Sequence, residues 1–282
     1  MEGFLPIGGF MSLKLRITEG LPDPIHPAAP IIFASALLVS LLLRKSFCGW
    51  ICPVGTLSEA VWMLGGKVCG RNFRVQRHAD YALRSLKYIL MGLFLYIILV
   101  KMSSSQIAGF MSTPYWKVAD VKMLKFFTDM SAATAVTLVF LVVLSLIYKN
   151  FWCRYLCPYG GLLGLLGSLS PVGIKRNKDA CVNCGLCAKH CPSLLPVDEG
   201  GSVNSPECTG CLTCVSRCPA KGALDATAAG KRIVRPEIIA VSVVVIFFGL
   251  IMAARLSGKW HSSVSYEELK ALLPVLKNLE HP

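Results

Sequence analysis

Apolar residues gather into four runs, at 27–43, 83–100, 131–148 and 237–254, and polar, charged segments separate them. A hydrocarbon core of roughly 30 Å is crossed by ~20 helical residues, and a slightly shorter run is completed by its flanks. Each run therefore predicts a transmembrane helix. Two further apolar segments, Thr56 to Gly66 and Gly161 to Leu169, are too short to cross and read as interfacial or re-entrant helices. Near the end, Ser265 followed three residues on by Glu268 forms a capping-box signal before Leu269, Leu272 and Leu273, so a short helix is expected, interrupted by Pro274. The fold class that follows is an α-helical polytopic membrane protein of about four spans with a small α+β insert. Its expected parts are an outer N-terminal segment (1–26), a membrane domain (27–173), the cysteine-rich insert (174–226), a linker (227–236), a last span (237–254) and an outer tail (255–282).

A repeat follows the first and third runs. Phe47-Cys48-Gly49-Trp50-Ile51-Cys52-Pro53 matches Trp152-Cys153-Arg154-Tyr155-Leu156-Cys157-Pro158, and each copy follows a basic step, Arg44-Lys45 or Lys149. Spacing i, i+4 puts both thiols of a pair on one helical face. The proline then disfavours helical geometry at Cys52 and Cys157, so each pair marks a helix end. With both pairs at one membrane face, four thiols would suit a further iron-sulfur cluster or a soft metal. A redox-active dithiol and plain packing between helices are the alternatives. Cys69 stands alone and reads as a buried thiol.

Composition agrees with the pattern: 54% of the 282 residues are hydrophobic and 16% charged, and mean hydropathy is +0.57. The net charge of +13 changes the picture only through its placement. The connection from Arg44 to Lys87 carries eight Lys and Arg against Glu59 and Asp80, and the stretch from Lys149 to Arg235 carries eleven against five acids. The remaining segments are nearly balanced. Positive loops stay inside, so the insert is expected in the cytoplasm, with both termini outside. No basic helix stands apart from the membrane flanks, which excludes nucleic acid as a partner and leaves membrane lipid. No signal peptide is visible before Asp23, and an outer N-terminus would fit an additional upstream span.

Eight of the thirteen cysteines fall in the insert. Cys181-x2-Cys184-x2-Cys187-x3-Cys191-Pro192 is echoed by Cys208-x2-Cys211-x2-Cys214-x3-Cys218-Pro219. This is the bacterial ferredoxin spacing, in which three thiolates wrap one cubane and the fourth reaches the other. It assigns one 4Fe-4S cluster to Cys181, Cys184, Cys187 and Cys218, and a second to Cys191, Cys208, Cys211 and Cys214. Zinc has no reason to show this spacing twice, and His190 reads as solvent-facing. The aromatic connection with Phe110, Tyr115, Trp116, Phe126 and Phe127 reads first as an interfacial belt. Asp120, Glu59 and His26 are its weak candidates for a quinol proton acceptor. No nucleotide fingerprint or haem attachment motif is present.

Through Cys48, Cys52, Pro53, Cys153, Cys157, Pro158 and the eight ferredoxin cysteines, the chain from Pro27 to Ala254 resembles the NapH-like and NosR-like polytopic membrane ferredoxins. That resemblance implies an electron-transfer subunit of a quinol dehydrogenase-type oxidoreductase complex. Such a subunit relays electrons between quinone, or a soluble low-potential donor, and a cytochrome, ferredoxin or reductase partner. Members of the group often carry an additional N-terminal helix, and NosR-like proteins an outer flavin-binding domain; neither is seen in this sequence. Two rival expectations are an assembly factor for a respiratory metalloenzyme and a membrane redox sensor.

Overall fold

A computed structural model describes residues 5–68, 70, 73–230 and 232–274. The chain forms two compact units: residues 1–35, 92–138 and 247–282 in one, residues 36–91 and 139–246 in the other. The divisions fall inside four helices, α2 (Ala28–Leu43), α5 (Arg77–Tyr96), α9 (Ala132–Ile147) and α13 (Pro236–Leu256). These are the helices of the four apolar runs. By length and composition two helical stretches are sufficient to cross a membrane, His78–Lys101 and Pro236–Leu256. A third arises if α9 is joined to α8 (Ala119–Thr128), from which it is bent by 73°. The helix of the first run has 16 residues, shorter than a full span. The second run extends beyond its expected start, because the polar turn from His78 to Ala82 continues the same helix, and it ends in a π-helical turn, Ile97–Lys101.

The first unit is built on a helix that the run pattern missed, α1 (Pro6–Glu19), which starts on proline and stops at Gly20 in the left-handed region. Its apolar positions are interrupted by Lys14 and Arg16, so the segment lacks a span's continuity while keeping one buried face. Met11 and Leu15 pack with Ile25, Ile98, Ile107 and Trp116. Lys14 caps the π-helical turn, its Nζ donating to the carbonyls of Ile98 at 2.8 Å and Met102 at 2.6 Å. Two short helices, α6 (Ser104–Met111) and α7 (Pro114–Lys117), are opened by Ser103 and Thr113 side chains. The expected terminal helix is α14 (Tyr266–Leu272), with Ser265 Oγ accepting from Glu268 N at 3.2 Å; Glu268 itself pairs with Lys117.

The second unit carries the cysteines. After α2 come α3 (Ser46–Trp50) and α4 (Pro53–Val68); after α9 come a π-helical turn, Trp152–Leu156, and α10 (Pro158–Ser168). The two short apolar segments of the sequence are thus the bodies of α4 and α10, lengthened by the prolines that open them. The insert is a four-stranded antiparallel sheet in the order β2-β1-β3-β4, from Val172–Arg176 (β1), Ser202–Val203 (β2), Leu224–Ala228 (β3) and Arg232–Ile233 (β4). Two one-turn helices complete it, α11 (Leu186–Lys189) and α12 (Thr213–Ser216). The expected linker is partly sheet: Thr227 pairs with Ile233 across a turn in which Ala229 and Gly230 have positive φ. The domain therefore runs past Ala226.

Asp23, 4% exposed, ties the first unit together. Its carboxylate accepts from Ser12 Oγ at 2.8 Å, Trp116 Nε1 at 3.2 Å and the amides of Ile25 and His26 at 2.9 and 3.1 Å. Asp23→Ala strands these buried donors, each of which costs about 1–3 kcal/mol when unsatisfied. The variant is expected to lose several degrees of melting temperature in detergent, read by circular dichroism; Asp23→Asn should recover part of the loss.

Candidate metal centre

Each C-x3-C-P pair sits where helical geometry breaks. Cys48 lies in α3, and the amide of Cys52 closes that turn by donating to Phe47 O at 2.9 Å. Pro53 then opens α4. In the second copy Cys153 lies in the π-helical turn, and Cys157 is extended at φ −70°, ψ 103° as the N-cap of α10, with Pro158 in the first turn. Its Sγ accepts from the amide of Gly160 at 3.2 Å. The prolines thus end one helix and start the next.

The four thiols lie within electrostatic reach of one another. Cys48 interacts electrostatically with Cys157, Cys52 and Cys153, and Cys153 with Cys157 and Cys52. Burial pushes the Cys48 thiol up and the Cys153 thiol up to about 12, because the charged form loses water, and the neighbouring thiolates add to it. Lys45 lies among them. Burial works against its charge, but Cys48, Glu207, Cys157 and Cys153 outweigh that and hold the ammonium.

In the insert, Cys191 interacts with Cys211 and Cys208, and Cys214 with Cys208, Cys211 and Cys191. All four line one cavity, whose other walls include Ile174, Leu195 and Val203. The fourth cysteine of the first motif therefore lies with the first three of the second. Cys181 and Cys187 interact with each other, Cys184 is exposed, and Cys218 packs against the apolar cluster that contains Cys187. The Cys181 thiol is lowered by the amide of Asn183 and by Arg176, whose guanidinium donates to its Sγ at 3.2 and 3.3 Å.

Charge decides what such sites can hold. In the second unit, among the described residues, Arg44, Lys45, Lys87, Lys149 and Arg154 are buried, against the carboxylates of Asp80 and Glu207. Lys87, with no exposed surface, meets Glu207 at 2.5 Å, and Tyr88 donates to the same carboxylate at 2.8 Å. Arg154 and Tyr155 donate to Asp80 at 2.8 and 2.6 Å, and Arg84 pairs with it too. Buried cations need negative partners. The excess faces the cysteines, so thiolate-ligated, net anionic iron-sulfur cores fit the donor set. Among the described residues no three His, Cys, Asp or Glu side chains converge closely enough for a single metal ion. In the insert, where Cys191, Cys208, Cys211 and Cys214 line one cavity, a multi-iron core suits the donors better.

Sequence reasoning passed over Lys45, Lys87, Glu207, Arg154 and Asp80. The signals were Lys87 inside an apolar run and Glu207 directly before Cys208. Of the weaker candidates, His190 and Glu59 are exposed, and Asp120 accepts from the Val121 amide at 2.8 Å. His26 is buried against Trp116, with Nε2 2.7 Å from its carbonyl oxygen. Cys69 lies outside the described residues.

Comparison with known proteins follows the same division. Residues 25–72 and 131–177 match a family described as "4Fe-4S binding domain", and residues 173–219 one described as "4Fe-4S dicluster domain". YccM of Escherichia coli K12, named as an electron transport protein, is 42% identical over 100% of this chain and 80% of its own length. The methylamine utilization ferredoxin-type protein MauN of Paracoccus denitrificans is 28% identical over 68% of this chain and 70% of its own. The regulatory protein NosR of Stutzerimonas stutzeri is 28% identical over 66% of this chain, which spans 25% of that protein. No solved structure matches.

Glu207→Gln leaves Lys87 buried without its charge partner. Breaking a buried pair on one side costs about 3–5 kcal/mol, so the variant is expected to unfold at clearly lower denaturant than the wild type, by tryptophan fluorescence. The double variant Glu207→Gln, Lys87→Met should be less damaged than Glu207→Gln alone.

Proposed function

The chain belongs to a ferredoxin-type family of 4Fe-4S electron-transport proteins, and from that premise we propose that it relays single electrons between the quinone pool and a redox partner protein. A soluble low-potential protein is the other donor class. Cys181, Cys184, Cys187 and Cys218 hold one 4Fe-4S cluster, and Cys191, Cys208, Cys211 and Cys214 the second. Cys48, Cys52, Cys153 and Cys157 hold a further cluster at the C-x3-C-P site. Bound clusters supply reversible one-electron chemistry.

The observation that carries this reading is the grouping in the second unit. The C-x3-C-P thiols and the thiols of the insert share one compact body with the ends of the apolar helices, and Lys45 interacts with both Cys48 and Glu207, the residue before Cys208. Helices α2, α5, α9 and α13 are the four spans of an inner-membrane subunit. The basic loops keep the insert in the cytoplasm. Membrane lipid and the other subunits of a quinol dehydrogenase-type complex, a cytochrome, ferredoxin or reductase, are its partners. Within the first unit the cluster of Asp23, His26 and Trp116 offers buried hydrogen-bonding groups of the kind that quinol oxidation needs.

In membranes containing the anaerobically loaded chain, a quinol analogue is expected to bring up the electron paramagnetic resonance signals of reduced clusters. With Cys48→Ser or Cys153→Ser, quinol should fail while dithionite still reduces the insert. Signals that stay silent at every quinol ratio in the wild type, yet respond to a reduced soluble ferredoxin, would move the donor to the soluble class.

A further inference from the structure

The two C-x3-C-P repeats do a second job. From the second repeat, Lys149 Nζ donates to the carbonyl of Cys191 at 3.2 Å, Asn150 Nδ2 to that of Pro192 at 3.3 Å, and Arg154 to that of Ser193. From the first, Arg44 donates to Asn204 Oδ1 at 3.2 Å, and Trp50 Nε1 to the carbonyl of Gly210 at 3.2 Å. Gly210 has φ +59°, and a side chain there would run into Ser46 Oγ at 2.5 Å. Gly49 lies so close that a Cβ on it would stand 3.5 Å from Cys211 Cβ. Between these anchors sits Glu207, paired with Lys87. The grips therefore fall on residues 191–193 and 204–211, the two loops that carry Cys191, Cys208 and Cys211. The other set is held by the insert's own sheet, through Arg176, and Cys184 is exposed.

We infer that the repeats form a clamp that makes Cys191, Cys208, Cys211 and Cys214 the inner station of the relay, next to the C-x3-C-P thiols, and Cys181, Cys184, Cys187 and Cys218 the outer station, where a soluble redox protein meets the chain. The inference rests on the relay reading. Each transfer moves one electron and no atom: one station is oxidised by one electron as the next is reduced by one. At the donor end one quinol is oxidised to quinone, releasing two protons to water and two electrons taken in turn, or two molecules of a one-electron low-potential donor are oxidised; at the other end two one-electron soluble acceptors are reduced. Trp50 is a positioning residue: its ring fixes the Gly210 turn and touches no ligand sulfur by hydrogen bond.

The test uses the full loaded chain in detergent, reduced with dithionite, with a water-soluble gadolinium chelate as relaxation probe. The signal altered by Cys184→Ser is expected to need several-fold more microwave power for half-saturation when the chelate is added. The signal altered by Trp50→Phe should change little. If Cys184→Ser does not assemble, Trp50→Phe alone identifies the shielded signal. A chelate that acts equally on both signals, or chiefly on the one that Trp50→Phe alters, overturns the inference. A clear contrast between the two signals in a chain that passes no electron from quinol or ferredoxin would sink the relay reading and leave the clamp standing.

Discussion

A buried cation must have a negative charge beside it, and the second unit of this protein is organised by that requirement. Lys87 projects from the middle of an apolar helix and meets Glu207, which fixes the loop that presents Cys208. Arg154 satisfies Asp80 from inside the second C-x3-C-P motif and reaches on to Ser193. Lys45 has Glu207 and thiols around it. Among the described residues of this unit two carboxylates do not balance five buried basic side chains, and the thiolate-rich sites are where the remaining negative charge belongs. In a low-dielectric interior this is an energetic demand of several kcal/mol per ion, so loading with an anionic core is expected to stabilise the fold.

Seen this way, the internal repeat is more than two cysteine pairs. Each copy brings a basic step, two thiols and a proline that starts a new helix, and each copy also grips a backbone carbonyl beside an insert cysteine. Pro53 and Pro158 set the chain direction; Trp50, Asn150 and Arg154 use it. The unit that results joins helix ends to the sheet of the insert through these polar contacts and through an apolar cluster of Leu212, Ala226 and Ile239.

Much of this was legible in the chain. The four apolar runs located the helices, the ferredoxin spacing picked out the cysteine-rich insert, and Ser265 with Glu268 located the last helix. What stayed hidden has physical reasons. α1 escaped because Lys14 spends its charge on backbone carbonyls of the π-helical turn, which periodicity alone does not reveal. β4 escaped because a two-residue strand has no pattern to read. Lys87, Glu207, Arg154 and Asp80 escaped because the Lys87–Glu207 and Arg154–Asp80 pairs join residues 120 and 74 positions apart, which no local pattern reveals.

The central claim is that three groups of thiols carry net anionic iron-sulfur cores in one chain. Native mass spectrometry of the chain, purified without oxygen and transferred in gentle detergent, weighs those cores directly. The account predicts a mass increase equal to three cubanes, about twelve iron and twelve sulfide at four of each per cluster. A chain that never carries more than two cubanes would remove the C-x3-C-P site from the relay, and one that carries zinc in their place would contradict the account as a whole.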